Sequence, residues 1–106
     1  METTKSISQE ELKKLVNNKS QKLKIIDVRS KEEYEQQHIP GAINIPIDQL
    51  ESFVKNENNE STIITVCRGG GNRSKDGANK CSVNGKDAYY LEQGTLGWFE
   101  NNKIEV

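Results

Sequence analysis

Between Ser61 and Ser74 the chain reads STIITVCRGGGNRS, which sets one cysteine, two arginines and three successive glycines in an order suited to nucleophilic chemistry on an anion. A β-branched run from Thr62 to Val66 predicts a strand that delivers Cys67 to its end. Gly69, Gly70 and Gly71 then allow a tight loop, and Arg73 and Ser74 lead into a segment that can be helical. The thiolate is the reactive form of cysteine, and its pKa falls at a helix N-terminus beside cationic side chains. Loops of this kind also aim several backbone N–H groups at a common centre, which favours an anion. From Cys67 to Lys75 there are two arginines and a lysine and no acid, so the loop carries local positive charge. The residues therefore predict a nucleophilic Cys67 in an anion-binding cradle built from Arg68, Gly69, Gly70, Gly71, Asn72, Arg73 and Ser74.

Several elements must hold that cradle in place. Ser8 with Glu11 and Ser30 with Glu33 form capping-box patterns, predicting helices from about Gln9 to Asn17 and from Ser30 to about Gln37. The run LKIIDV, Leu23 to Val28, is nearly continuous in apolar residues and reads as a buried parallel strand. His38-Ile39-Pro40-Gly41 breaks the second helix, Ala42 to Ile45 makes a short strand, and Asp48 is the expected cap of a helix carrying Leu50, Phe53 and Val54. Polar loops are expected at Asn18–Lys22 and Lys55–Glu60. After the cradle come a helix from about Ser74 to Ser82, a turn at Asn84-Gly85, a strand at Ala88–Leu91 and a terminal helical turn over Gly94–Trp98. Strands alternating with short helices predict an α/β fold: a mainly parallel sheet of about five short strands with helices on both faces, as one domain over residues 1–106. In such sheets the ligand site lies beyond the carboxyl ends of the strands. Cys67 is at such an end, and Asp27 and Arg29 fall on the same rim.

Composition narrows the function. A hydrophobic fraction of 32% and a mean hydropathy of −0.84 describe a modest core under a strongly solvated surface. A formal net charge of −1 gives no basic excess for nucleic acid or an anionic membrane. Two cysteines are too few for a disulfide framework and fit a reducing compartment, so a cytoplasmic location is expected. No apolar stretch approaches membrane-spanning length, and METTKSISQEEL lacks the apolar core of a signal peptide. One histidine and two cysteines in different settings argue against a metal site.

Three stretches taken together resemble the rhodanese domain: IDVRSKEEYEQQHIPGAINIP from Ile26 to Pro46, VCRGGGNRS from Val66 to Ser74, and YYLEQGTLGW from Tyr89 to Trp98. The resemblance implies a rhodanese-like fold and a sulfurtransferase needing no cofactor. Cys67 takes a sulfane sulfur from an anionic donor such as thiosulfate or polysulfide, becomes a persulfide, and passes the sulfur to a thiol, to cyanide or to a protein acceptor. It also implies that the amides of Arg68 to Arg73 stabilise the persulfide, that Arg68 and Arg73 draw in the donor, and that Asp27 and Arg29 buttress the loop. A contact between Arg29 and Glu33, an architectural His38 and a closing Trp98 follow from the same likeness. Two departures stand out. Five residues separate Cys67 from Arg73, one more than in most sulfurtransferase members and the same as in rhodanese-like phosphatases and related arsenate reductases. One extra residue widens the cradle toward a tetrahedral oxyanion, so phosphatase or arsenate reductase chemistry is the alternative, and a non-catalytic sulfur carrier or binding module a second one. Against the phosphatase reading, Val66 stands where those enzymes place a histidine, and no carboxylate lies inside the loop to protonate a leaving alkoxide. Gln93 occupies a position where the family commonly has glycine.

The remaining polar residues have plainer readings. Cys81 falls inside the helix after the cradle and is expected to be core rather than a thiol that attacks oxidised Cys67. His38 is expected to be a hydrogen-bonded turn residue. Asp27 is expected to accept hydrogen bonds from the loop, and of Tyr89 and Tyr90 one is expected in the core and one on the surface.

Overall fold

The computed structural model describes residues 5–18, 22–56 and 61–101. Its strands are β1 (Ser6–Ile7), β2 (Leu23–Asp27), β3 (Ile43–Asn44), β4 (Thr62–Val66) and β5 (Asp87–Leu91). They alternate with helices α1 (Gln9–Asn17), α2 (Lys31–Gln36), α3 (Ile47–Lys55), α4 (Asn72–Val83) and α5 (Gly94–Asn101). All pairings are parallel and the sheet order is β1-β5-β4-β2-β3, which puts β4, the strand that ends at the cysteine, in the middle.

Period-two alternation along the strands sends side chains to two separate cores. Ile25, Ile64, Val66 and Leu91 pack with Ile7, Leu12 and Trp98 on the side of α1 and α5. Ile26, Ile63, Cys67 and Ala88 pack with Leu50, Val54, Ala78 and Cys81 on the side of α3 and α4. Because both faces are covered, Tyr89 and Tyr90 are each half-buried, one on either side, and neither is a surface residue. Each ring also lies under an ammonium, Lys5 over Tyr89 at 4.5 Å and Lys75 over Tyr90 at 5.5 Å.

Both predicted capping boxes form: Ser8 with Glu11 opens α1, and Ser30 with Glu33 opens α2. Asp48 does not cap α3. That helix starts at Ile47, two residues before an Asp48 cap would start it, behind Pro46 at φ −54°. The Ile47 amide is satisfied by the Val28 carbonyl at 3.2 Å and the Gln49 amide by the Pro46 carbonyl at 2.9 Å, and no side chain caps the helix. α4 likewise starts at Asn72, two residues before the expected Ser74, with Gly71 as its cap. Strand β1 was not expected; its two residues pair with Tyr90 and Leu91 at the sheet edge. The loops predicted at Asn18–Lys22 and Lys55–Glu60 fall largely on residues 19–21 and 57–60, outside the described residues. Among the described residues, no helix is long and apolar enough to cross a membrane.

Candidate active site

Cys67 follows the last residue of β4 and is 3% exposed. Its Sγ accepts a hydrogen bond from the Gly71 amide at 3.2 Å and lies 3.1 Å from Ser74 Oγ. Ser74 is fully buried, and its hydroxyl also reaches the Gly71 carbonyl at 3.1 Å. With the thiol protonated, Ser74 donates to that carbonyl and accepts the S–H. Once the proton leaves, the same hydroxyl can turn and donate to the thiolate. Burial pushes the Cys67 thiol up, but the Ser74 hydroxyl and the amides of Ser74, Gly71 and Gly70 together outweigh it and hold the thiol below its ordinary value. The loop is therefore built to stabilise a negative sulfur.

What keeps those donors in place lies behind the loop. The first amides of α5 tie down the cysteine's own backbone, Thr95 N–H to the Cys67 carbonyl at 2.9 Å and Leu96 N–H to the Arg68 carbonyl at 3.0 Å. This contact demands glycine at two places. Gly70 has φ +79°, and a Cβ there would stand 2.5 Å from the Gln93 nitrogen. Gly94, at φ +56°, has the Cys67 carbonyl oxygen where a Cβ would go. Gly69 and Gly71 face open space, so of the three successive glycines only Gly70 is sterically required. The turn before Gly94 is anchored by Gln9, whose amide nitrogen donates to the carbonyls of Glu92 at 2.7 Å and Gly94 at 3.0 Å. From the sheet side, the buried Thr65 hydroxyl donates to the Ser74 carbonyl at 2.7 Å.

The charged residues pair differently from expectation. Arg29 does not contact Glu33. Its guanidinium forks onto Asp27 at 2.7 to 3.1 Å and also donates to the Gln37 carbonyl at 2.6 Å, with both side chains buried. Arg29 lies in the bend that follows β2, and its own backbone N–H also donates to Asp27 Oδ1 at 3.0 Å, which folds the two residues onto each other. Asp27 is thus saturated by Arg29, and its carboxylate takes no hydrogen bond from the Cys67 loop. The pair instead braces the neighbouring turn, where the Asn44 amide donates to the carbonyls of Asp27 and Arg29, both at 3.0 Å. Glu33 binds Arg73, at 2.9 and 3.3 Å. The Arg73 guanidinium, with the Ser30 cap behind it, offsets burial and holds the Glu33 carboxyl down at about 2, so the pair persists through neutral and mildly acid pH. The Arg68 side chain is exposed and makes no ion pair or hydrogen bond among the described residues.

Cys81 is fully buried in α4 among apolar neighbours, and burial pushes its thiol up to about 11. His38 stacks on Tyr34 with ring centroids 3.8 Å apart, and its Nδ1–H donates to the Tyr34 carbonyl at 2.9 Å. Trp98 packs in the core beneath α1 and α5. The structure gathers donors of Gly70, Gly71 and Ser74 around the Cys67 sulfur, leaves Arg73 on Glu33, and sets Asp27 and Arg29 to one side. The sequence reading missed Thr65, Gln9, Glu33 as partner of Arg73, and the α5 amides, all of which act through contacts distant in sequence. Gln93 was the one available signal: it adopts φ +66°, the left-handed region in which glycine is free of strain, and this explains the glycine common there.

Residues 8–101 match the family described as Rhodanese-like domain. The chain belongs to that family. Thiosulfate sulfurtransferase GlpE of Shewanella oneidensis is 26% identical over 102 residues, covering 96% of this chain and 99% of that protein. Putative sulfur carrier protein YrkF of Bacillus subtilis is 39% identical over 64 residues, covering 60% of this chain and 34% of that protein. The chain spans about a third of the length of the first curated relatives it matches. The crystal structure of a rhodanese-like domain protein from Staphylococcus aureus superposes with a TM-score of 0.80 at 33% identity, covering 97% of this chain and 100% of that one.

Proposed function

We propose that this protein is a sulfurtransferase, with residues 1–106 acting as one rhodanese-like unit in a reducing, cytoplasmic setting. The Cys67 thiolate attacks the outer sulfur of thiosulfate; a Cys67–sulfur bond forms, the donor's S–S bond breaks, and the electron pair leaves on sulfite. An acceptor thiolate or cyanide then attacks the outer sulfur of the persulfide, and the bonding pair returns to Cys67. No external oxidant or reductant enters either step, and no metal or organic cofactor is needed. Arg68 and the loop from Gly69 to Ser74 form the anion-binding wall, Glu33 holds Arg73 at its edge, and Asp27 and Arg29 brace the neighbouring turn.

The observation that carries this reading is the aim of the donors. The Gly71 amide at 3.2 Å and the Ser74 hydroxyl at 3.1 Å converge on the cysteine sulfur itself. Arg73, which in an oxyanion site would bridge the bound anion, is engaged by Glu33 at 2.9 Å. The five-residue spacing favours a second reading, turnover of a phosphate or arsenate. Incubation with thiosulfate and cyanide discriminates between them. Thiocyanate and sulfite are expected in equal amounts, with aryl phosphate untouched and phosphate failing to compete. Competition by phosphate with hydrolysis of aryl phosphate, and no thiocyanate, would reverse the order of the two readings.

A further inference from the structure

Arg73 stands in the first turn of α4 and Glu33 in the first turn of α2, and the guanidinium forks onto the carboxylate at 2.9 and 3.3 Å. Glu33 is also fixed from behind. Its Oε1 accepts from the Ser30 backbone N–H at 3.2 Å and from the Ser30 hydroxyl at 3.1 Å, so the capping box of α2 aims the carboxylate at Arg73. As a strut between the two helices the pair is weak. The side chains are 43% and 33% exposed, and water screens most of the attraction. The consequence is for ligands. An arginine fork matches two oxygens of a tetrahedral oxyanion, and here a carboxylate already occupies that fork. Glu33 first, and then the charge of the Cys67 thiolate, push the Arg73 guanidinium up against burial, so Arg73 lies within electrostatic reach of the sulfur. An oxyanion arriving at Cys67 must displace Glu33 before it gains that fork, and until then it meets a second negative charge. Sulfane sulfur needs no such fork: the Gly71 amide and the Ser74 hydroxyl already face the Cys67 sulfur, at 3.2 and 3.1 Å.

We propose that Glu33 is a specificity-determining residue: by holding Arg73 it withholds the guanidinium from tetrahedral oxyanion heads, so the loop rejects phosphate and arsenate and takes sulfur from inorganic polysulfide or an organic persulfide in preference to thiosulfate. The inference rests on the sulfur-transfer reading above and names its donor class. With polysulfide, the Cys67 thiolate attacks the terminal sulfur, the Cys67–sulfur bond forms, the adjacent S–S bond breaks, and the electron pair leaves on the shortened chain. Glu33 touches no reacting atom in this step and acts only through Arg73.

Two measurements test the assignment. In the first, kcat/KM for sulfur uptake is compared between thiosulfate and inorganic polysulfide. Glu33→Gln keeps a capping residue at this position and removes the charge that grips Arg73. It is expected to raise the thiosulfate-to-polysulfide ratio on the order of tenfold, through a lower KM for thiosulfate. Glu33→Asp, which retains the charge, should stay nearer the wild-type ratio. In the second, phosphate is titrated against alkylation of Cys67 by iodoacetamide in the unloaded protein. The half-protecting concentration is expected to fall on the order of tenfold in Glu33→Gln. Both gains should vanish when Arg73→Gln is combined with Glu33→Gln. Failure of either gain in a Glu33→Gln protein that still unfolds cooperatively, or a gain that survives the loss of Arg73, overturns the assignment. If Cys67 takes up no sulfur from any donor, the transfer reading fails, and the phosphate titration still judges Glu33 by itself.

Discussion

Cys67 and Cys81 belong to the same packed cluster on the α3 and α4 side of the sheet, and neither exposes more than 3% of its surface. Their thiols are nevertheless pushed in opposite directions. Cys81 lies inside a helix, surrounded by apolar side chains, so burial outweighs the opposing charge of Lys86 and the thiol rises to about 11. Cys67 sits where a strand has ended and a helix has not yet begun, so nearby amides and the Ser74 hydroxyl are free to face the sulfur. Burial pushes it up as well, but these donors win. Donors left over at an element boundary, more than exposure, separate a thiol held down from one pushed up.

The largest expected effect is in alkylation. At pH 7 a thiol titrating at about 11 is ionised in roughly one molecule in 10⁴, and burial slows it further. Iodoacetamide on the folded protein should therefore modify Cys67 at least on the order of a hundredfold faster than Cys81, read by peptide mass spectrometry. Comparable rates would erase the distinction. Ser74→Ala removes one donor to the thiolate and should slow Cys67 alkylation and sulfur uptake at neutral pH roughly tenfold. The pH profile should move upward in that variant. The sign follows from linkage: with its pKa lowered by folding, the Cys67 thiolate adds stability above the ordinary thiol range and loses it as pH falls through the lowered value. Ser74→Ala should narrow that window from below. Cys81→Ala should cost about 1 kcal/mol in denaturant unfolding and leave sulfur transfer unchanged; a loss of transfer at retained stability would assign Cys81 a chemical role. The smallest effect concerns the frame behind the loop. Gln93→Gly relieves a left-handed residue and should raise stability by about 0.5 kcal/mol, since the gain of roughly 1 kcal/mol in strain is partly offset by the freer unfolded chain.

Features fixed by short-range chemistry were legible in the sequence. The capping boxes at Ser8 and Ser30, the apolar run Leu23–Asp27 and the strand leading to Cys67 each carry their signal within a few residues. Elements whose reason lies across the fold were not. β1 is two residues long, too short for any period, and exists because β5 offers an edge. Asp48 has a cap's chemistry, but the Val28 carbonyl had already taken the amide that opens α3. Glu33 reads as a capping residue, which it is, and nothing local reveals that its carboxylate also reaches Arg73, forty residues away in sequence. At the site the same division holds. Cys67 and its glycines announced a cradle, whereas the need for Gly70 arises from the Gln93 backbone behind it.

The central claim is that the loop stabilises a negative sulfur on Cys67 and uses it to carry sulfane sulfur. Intact-protein and peptide mass spectrometry after incubation with thiosulfate or polysulfide tests it most directly. The added mass of one sulfur atom is expected on Cys67 alone, removed by cyanide with release of thiocyanate and absent in Cys67→Ser. An unmodified Cys67 with every donor tried, or sulfur carried on Cys81 instead, would contradict it.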